Sequence, residues 1–351
     1  MRFGLGWRAE LGPGILANLD RIDVVEVLAE ELFEAGRNER RALRFLRSHV
    51  PIVLHATSLG LASTERVDRR QLEKIARVID WLEPELWSEH LAFVRAGGHE
   101  VGHLAAPPRN DATLEGLART VEEARRVTGS LPCLENVASL LEPPCSSYDE
   151  AAWLRAVIAT TGCELLLDLH NLHANAHNFG FDPFEVVRAL PAPRLIHLAG
   201  GRRIEGDRVL DDHLHAVPAA VYELLACVDA PDATVILERD GNYPAIEELL
   251  AELSAAAMQV AAFTRVAAAP PLPSGVKAAT GVAALQTFLA RLYVDDEARG
   301  RFIADPVSVV RAENLPEEVA AMNVEELTLA ARSFAKKRAG TLRRHLHSPS
   351  S

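Results

Sequence analysis

The stretch that decides the fold is Glu164-Leu165-Leu166-Leu167-Asp168-Leu169-His170-Asn171-Leu172-His173-Ala174-Asn175-Ala176-His177-Asn178. Its leucine run is too short for a buried helix and too continuous for a strand with one wet face. It reads as a strand covered on both sides, the signature of a parallel sheet. The run ends in a carboxylate, and histidines and asparagines follow at once. Working outward, the same pattern recurs. Short apolar, β-branched-rich runs lie at 2–7, 24–28, 52–55, 86–91, 133–137, 164–169, 195–199 and 234–238. Helical signals separate them. Leu72, Ile75, Ala76, Ile79 and Leu82 make one apolar face, and Leu114, Leu117, Ala118 and Val121 another that Gly129 would stop. Ser147 and Glu150 have capping-box spacing, Gly162 ends the next helix, and Asp182-Pro183 and Pro244 open others. Eight such strand–helix units within about 260 residues are the count of a (β/α)8 TIM barrel. The alternative, an open doubly wound sheet, is weakened because no Gly-rich dinucleotide fingerprint follows the first strand.

Barrel chemistry sits at the C-terminal ends of the strands. Those ends carry Glu30 after strand two, His55 at strand three, Glu89-His90 at strand four, Glu135-Asn136 at strand five, Asp168 at strand six, His197 at strand seven, and Glu238 with Asp240 at strand eight. The loop after strand six adds His170, Asn171, His173 and His177, and the loop after strand seven adds Asp211 and His213. Any one of these has a bland reading. His197 alone could be a hydrogen-bonded core histidine, and Asp168 alone could cap a turn. Together they would converge on one mouth, where unpaired carboxylates repel one another and lose solvation. A central cation resolves that conflict. Imidazole and carboxylate without thiolate suit iron, manganese or zinc, and the donors outnumber what one ion takes. Two or three ions, with Glu135 as a bridge, would use them better.

Of the 13 histidines, 11 fall between His49 and His215. His99 and His103 lie in a Gly-rich stretch and read as a solvated loop. His49 reads as a helix end, and His345 and His347 as part of a frayed tail from Thr341 to Ser351. The chain has 37 Lys and Arg against 49 Asp and Glu, a net charge of −12. That sign argues against nucleic acid or an anionic membrane as partner. No leader-like or membrane-spanning run is read, and Cys133, Cys145, Cys163 and Cys227 lack paired spacing. Both point to free thiols in the cytoplasm. The domain reading is a metal-binding barrel at 1–264, a Pro-rich linker at 265–275 and a small, separate all-α domain at 276–345. In that last domain Leu285, Phe288, Leu289 and Leu292 restart helical periodicity.

Seven strings, in order, resemble the multinuclear non-haem iron-dependent oxidative enzymes, which include the methanobactin-type oxidase. They are Leu54-His55; Ser88-Glu89-His90-Leu91; Leu134-Glu135-Asn136; Leu165-Leu166-Leu167-Asp168 leading to Asn171 and Ala176-His177-Asn178; Ile196-His197-Leu198-Ala199-Gly200; Asp211-x-His213; and Glu238-x-Asp240. The resemblance covers roughly residues 1–262. It implies a xylose-isomerase-like barrel holding two or three iron ions, Fe(II)/Fe(III), with O2 as co-substrate. It implies oxidative modification, often at cysteine, of a ribosomally synthesised precursor peptide. Carried over by position, His55, His90 and Glu135 resemble one iron site, and Glu135, Asp168, His197 and Glu238 a second. Asn171 or His177, with Asp211 and His213, resemble a third. Asp240 and Glu30 are expected to orient ligands or move protons. Two departures from the family pattern are Gly201, where many relatives have His, and Glu31, where Asn is common. Relatives commonly need a separate partner protein that captures the precursor. The C-terminal segment, through Phe302-x-x-Asp305-Pro306 and Lys336-Lys337-Arg338, resembles such partners loosely, so the role could be fused onto the enzyme; a purely stabilising or dimerising segment is the competing reading. Competing functions are a Mn or Zn sugar isomerase or epimerase, a trinuclear-zinc DNA-repair nuclease that the charge disfavours, and a non-catalytic metal-loaded peptide-binding module.

Overall fold

The computed structural model describes residues 1–261 and 281–347. Its strands are β1 (Arg2–Gly6), β2 (Val24–Leu28), β3 (Ile52–Ala56), β4 (Leu86–His90), β5 (Phe93–Ala96), β6 (His99–Ala105), β7 (Cys133–Glu135), β8 (Glu164–Asp168), β9 (Leu195–Leu198), β10 (Arg202–Ile204), β11 (Arg208–Leu210) and β12 (Thr234–Leu237). Eight close a barrel in the order β1-β12-β9-β8-β7-β4-β3-β2, each pair parallel. This is the (β/α)8 architecture expected from the sequence. The strand runs are apolar throughout because both faces are covered. Outward residues such as Val25, Leu54, Leu165, Leu167 and Ile196 pack against the helices. Inward residues Val24, Val53, Cys133, Leu166, Leu195 and Ile236 form a separate apolar plug inside the barrel. Gly4 is required on β1, because a Cβ there would lie 2.1 Å from the carbonyl oxygen of Val24.

The helix stops follow the sequence. Gly129 and Gly162 take left-handed backbone at the ends of helices Asp111–Thr128 and Glu150–Thr161. The expected Ser147/Glu150 capping box is corrected. Asp149 caps that helix through Ala152 N at 2.7 Å, and Glu150 is buried against Arg109 at 2.6 Å. A carboxylate two residues nearer the helix start than Ser147 wins the cap, and the long-range arginine claims Glu150.

Two antiparallel hairpins interrupt the alternation: β5–β6 after β4, and β10–β11 after β9. The first is where His99 and His103 lie, so the solvated-loop reading is corrected. His103 belongs to β6, and its ring meets Phe334 edge-on at 5.0 Å. The cause is a contact across more than 200 residues that local composition does not report. The helices Val282–Val294, Asp296–Ala304, Pro306–Ala312 and Val324–His347 cover this hairpin. Leu285, Phe288, Leu289, Leu292 and Phe302 share a core with Phe93, Val101 and Ala105. The segment read as separate thus packs directly on a barrel insertion. Gln286, fully buried, donates to Ala62 O at 2.9 Å and accepts from Thr64 N at 2.7 Å, which ties the helices to the loop after β3. The expected linker at 265–275 lies outside the described residues. The tail read as frayed from Thr341 is helical to His347.

Candidate metal centre

The apolar plug and the polar centre are consecutive layers of one inward face. In a strand, residues two apart point the same way. Stepping two residues from each plug residue gives Glu26 from Val24, His55 from Val53, Glu135 from Cys133, Asp168 from Leu166, His197 from Leu195 and Glu238 from Ile236. All six are buried. His90, at the end of β4, joins them, and His213 enters from the loop after β11 with left-handed backbone (φ 54°), its carbonyl held by Asp240 N at 2.9 Å.

The side chains form four overlapping triads: His55, His90 and Glu135; Glu135, Asp168 and His197; Glu26, His197 and Glu238; and Asp168, His213 and Glu238. Within each triad the candidate donor atoms lie within 4.8 Å of one another. Glu135 Oε2 is 3.5 Å from His55 Nε2 and 3.3 Å from His90 Nε2, and its Oε1 is 3.6 Å from His197 Nδ1. Glu238 Oε2 lies 3.1 Å from His197 Nδ1 and 3.3 Å from His213 Nδ1. Yet Glu135 Oε2, Asp168 Oδ2 and Asn171 Oδ1 are buried with no hydrogen-bond partner. Orphaned polar atoms cost about 1–3 kcal/mol each, so several facing one another call for cations. The donor set of imidazole and carboxylate fits iron, manganese or zinc.

The opposite side of each donor is held. His55 Nδ1 lies 2.8 Å from Ser88 Oγ, and His197 Nε2 lies 3.0 Å from Glu26 Oε2. Asp168 Oδ1 accepts from Asn171 N at 2.6 Å, and Asn136 clamps the Asp168 backbone at 2.8 and 2.9 Å. Such partners fix ring orientation and donor basicity.

The charges are strongly perturbed. Burial pushes His55 down, with the nearby carboxylates opposing it. Burial also opposes protonation of His90, but Glu135 and Glu89 outweigh it and lift His90 to about 9. In the same way Glu238, Glu26 and Glu135 overcome burial and hold His197 well above its usual value, and Asp211 does so for His213. Burial raises Asp168 to about 7. Without metal, the centre therefore neutralises its carboxylates with protons on histidine.

The expected residues divide. His55, His90, Glu135, Asp168, His197, His213 and Glu238 are brought together as the triads. Asn171 sits beside Glu135, its Nδ2 3.5 Å from Glu135 Oε1. Asp211 Oδ1 is 2.9 Å from His213 Nε2. Asp240 stands at the rim, its Oδ2 3.5 Å from His213 Nδ1, and Arg8 grips its other oxygen. His177 is not brought in: its ring meets the carbonyl of Asp207 at 2.6 Å, because the turn of helix Leu169–Phe179 that carries it points toward the β10–β11 hairpin. Glu30 is not brought in either. Its Oε1 accepts from Thr57 N at 2.9 Å, which secures the loop after β3.

Sequence reading missed Glu26, Arg8 and the role of His170. Glu26 was detectable as a lone carboxylate at an inward position of an apolar strand. Arg8 follows Gly4 and Gly6 at the same period. His170 meets Asp211 Oδ1 at 2.7 Å. Its ring fills the space that Gly201 leaves: a Cβ on Gly201 would lie 2.5 Å from His170 Cε1. Histidine at 201 is incompatible with this placement of His170. Glu31 adds negative charge near Arg8.

Fold and site thus define a (β/α)8 barrel whose mouth gathers four overlapping groups of residues, each of which could hold a metal ion. The chain belongs to the family described as RiPP precursor modification enzyme MbnB/TglH/ChrH, which it matches over residues 2–261; RiPPs are ribosomally synthesised, post-translationally modified peptides. Among relatives, a UPF0276 protein of Streptomyces avermitilis is 36% identical over 264 residues, 72% of this chain and 53% of that protein, about half its length. UPF0276 proteins of Anaeromyxobacter sp. and Nitrosospira multiformis are 33% and 31% identical, each over 72% of this chain and 91% and 90% of their own. Among solved structures, endonuclease IV from Thermus thermophilus aligns with a TM-score of 0.49 at 15% identity, over 74% of this chain and all of that one. D-psicose 3-epimerase from Clostridium cellulolyticum aligns at 0.47 and 13%, over 74% and 97%. The barrel assignment rests on the strand order above.

Proposed function

We propose that this chain is an O2-dependent, multinuclear iron enzyme that oxidatively modifies a residue, cysteine in the first instance, of a ribosomally synthesised precursor peptide. The observation that carries the reading is the sharing of Glu135 between the His55–His90 pair and the Asp168–His197 pair. One carboxylate between two imidazole-containing sites is how two ions are held close enough to act on one substrate. Family membership supplies the peptide. Iron, when bound, supplies the redox chemistry with O2.

The chain's own residues do the rest. His55, His90 and Glu135 would hold one ion; Asp168, His197 and Glu238, with Glu135, a second; His213 and Asp211, with Asn171 nearby, a third. Ser88 and Glu26 fix the ring planes from behind. The cavity above the centre is about 180 Å3, room for one side chain and little water. Asp240, half in solvent at the rim, faces His213 Nδ1 and is the group through which a proton can leave or enter. Four free cysteines suit a reducing compartment, and we assign the enzyme to the cytoplasm.

The test is anaerobic reconstitution with Fe(II), then mass spectrometry of precursor peptides encoded beside this gene, with and without O2. A mass change that needs both iron and O2 is expected. A peptide unchanged under every condition, or changed equally with Zn(II) under nitrogen, refutes the reading.

A further inference from the structure

Hairpin β5–β6 brings to the mouth one imidazole that belongs to none of the metal triads found among the described residues. His103 lines the cavity together with His55, His90, Glu135 and His213. It stands on β6 between Val101 and Ala105, which are buried in the core shared with the C-terminal helices. An apolar side chain would simply continue that contact, and Phe334 meets the imidazole edge-on at 5.0 Å. The polar residue comes where the apolar face opens onto the cavity. The strand is fixed on both sides of it. Ala105 pairs with Phe93 across the hairpin, and Val101 O accepts from Arg338 Nη1 at 2.7 Å. Gly102 has left-handed backbone (φ 68°), and a Cβ there would lie 2.3 Å from Arg338 Cγ. That glycine lets the arginine cross the strand directly before His103.

Neither ring nitrogen of His103 has a hydrogen-bond partner among the described residues, whereas His55 is held by Ser88 and His197 by Glu26. Burial and then Lys337 hold His103 well below the usual histidine range; His90 and Arg338 add to this, and Asp211 opposes it. Cations bound at the centre act in the same direction, so the ring is neutral with or without metal. A neutral imidazole offers one N–H donor and one acceptor. A peptide group offers the complement, one C=O and one N–H. A peptide that enters the cavity gives up water from its backbone, and an amide left unpaired there is costly. Metal takes up the triad side chains and Asp240 takes up Arg8, which leaves the His103 ring facing the occupant of the cavity. The cavity of about 180 Å3 admits one side chain, so the amides that reach His103 are the two that flank the reacting residue.

We propose that His103 is a substrate-binding residue whose imidazole hydrogen-bonds a backbone amide next to the reacting residue of the peptide. This rests on the reading of the mouth as the peptide site. The insertion after β4 then holds the main chain of the substrate, while the triads act on its side chain.

The test is calorimetric binding to the full chain loaded with Zn(II), which permits no redox turnover. The probes are N-acetyl-cysteine N-methylamide and two analogues in which an ester oxygen replaces one amide N–H. N-acetyl-cysteine methyl ester makes the change on the C-terminal side, and the acetoxy analogue of cysteine N-methylamide makes it on the N-terminal side. An ester has no N–H and a weaker acceptor carbonyl, so it reports the imidazole as acceptor or as donor. At least one ester should bind about tenfold less tightly than the amide. His103→Phe and His103→Leu keep apolar packing against Phe334 and should bind amide and esters alike. His103→Gln, which retains a donor and an acceptor, should keep the preference. Each comparison is made within one protein, so a general loss of affinity does not imitate the result. Equal binding of amide and esters by the unmodified protein, or the same preference in His103→Phe and His103→Leu, overturns the proposal and leaves the mouth as the peptide site. No binding of any probe to the unmodified protein overturns both.

Discussion

Stripping the metal should make the protein's stability fall as pH rises from about 7 to 8.5, opposite to what paired surface carboxylates produce. His90 is lifted from 6.5 to about 9 by Glu135 and Glu89 against the cost of burial. A histidine raised in this way contributes its full stabilisation below the unfolded value of 6.5, and loses it as pH rises through 9. The shift corresponds to about 3 kcal/mol in all, of which roughly 2 kcal/mol disappears between about pH 7 and 8.5. His197 and His213 are raised as well and carry the same sign. Asp168, raised by burial to about 7, adds to it, because the unfolded chain has already released that proton. The window is clean. His55, His103 and His173 are pushed down and stay neutral in the folded state, and in the unfolded chain they are mostly neutral above about pH 7. The buried thiol Cys133 is raised to about 12 and matters only once unfolded thiols ionise, near 9. For a barrel of this size 2 kcal/mol is roughly 3–4 °C in Tm. Differential scanning calorimetry of chelator-treated protein should show that fall, and His90→Gln should lack the part that belongs to His90. Loaded protein should show no fall, because metal replaces the protons and binds more tightly as they leave. A stripped protein whose Tm is flat or rises across this window would refute the electrostatic picture of the centre.

Other outcomes follow from named contacts. Glu135→Ala should lower bound metal by more than one ion per chain by elemental analysis, and His213→Ala by at most one, since among the described residues Glu135 alone belongs both to the group with His55 and His90 and to the group with His197. Glu26→Gln keeps the shape behind His197 Nε2 but removes the charge, and should weaken metal binding by about 10–100-fold with the fold intact by circular dichroism. His177→Ala should leave metal content unchanged, because that ring bonds to the Asp207 carbonyl outside the centre. Gln286→Ala orphans Ala62 O and Thr64 N, and should cost about 1–3 kcal/mol, seen as faster hydrogen exchange in the β5–β6 hairpin and helix Val282–Val294.

The barrel and its centre were legible because both obey a short-range rule. A strand buried on both faces leaves a continuous apolar run, and a polar residue at its end cannot hide. Leu166 to Asp168, Leu195 to His197 and Ile236 to Glu238 are each one inward step, visible in five residues of sequence. Glu26 obeys the same rule but does not stand out, because it interrupts its strand where the others end theirs. His177 failed for the complementary reason. Helix Leu169–Phe179 gives no period that says which of its polar residues faces the mouth; Asn171 does, while His170 turns to Asp211 and His177 to the hairpin. That choice is made by β10–β11, whose strands are only three residues long and carry no apolar signature.

The wall of the mouth was illegible for a deeper reason. Lys337 and His103 are separated by most of the chain, and each looks like a solvated surface residue in its own neighbourhood. They become site residues only because Phe93, Val101 and Ala105 bury against Leu285, Phe288 and Leu289. The apolar surface of the hairpin is thus the physical link between the barrel, whose layers hold the donors, and the helices, which bring Ser333, Phe334 and Lys337 to the wall of the same cavity.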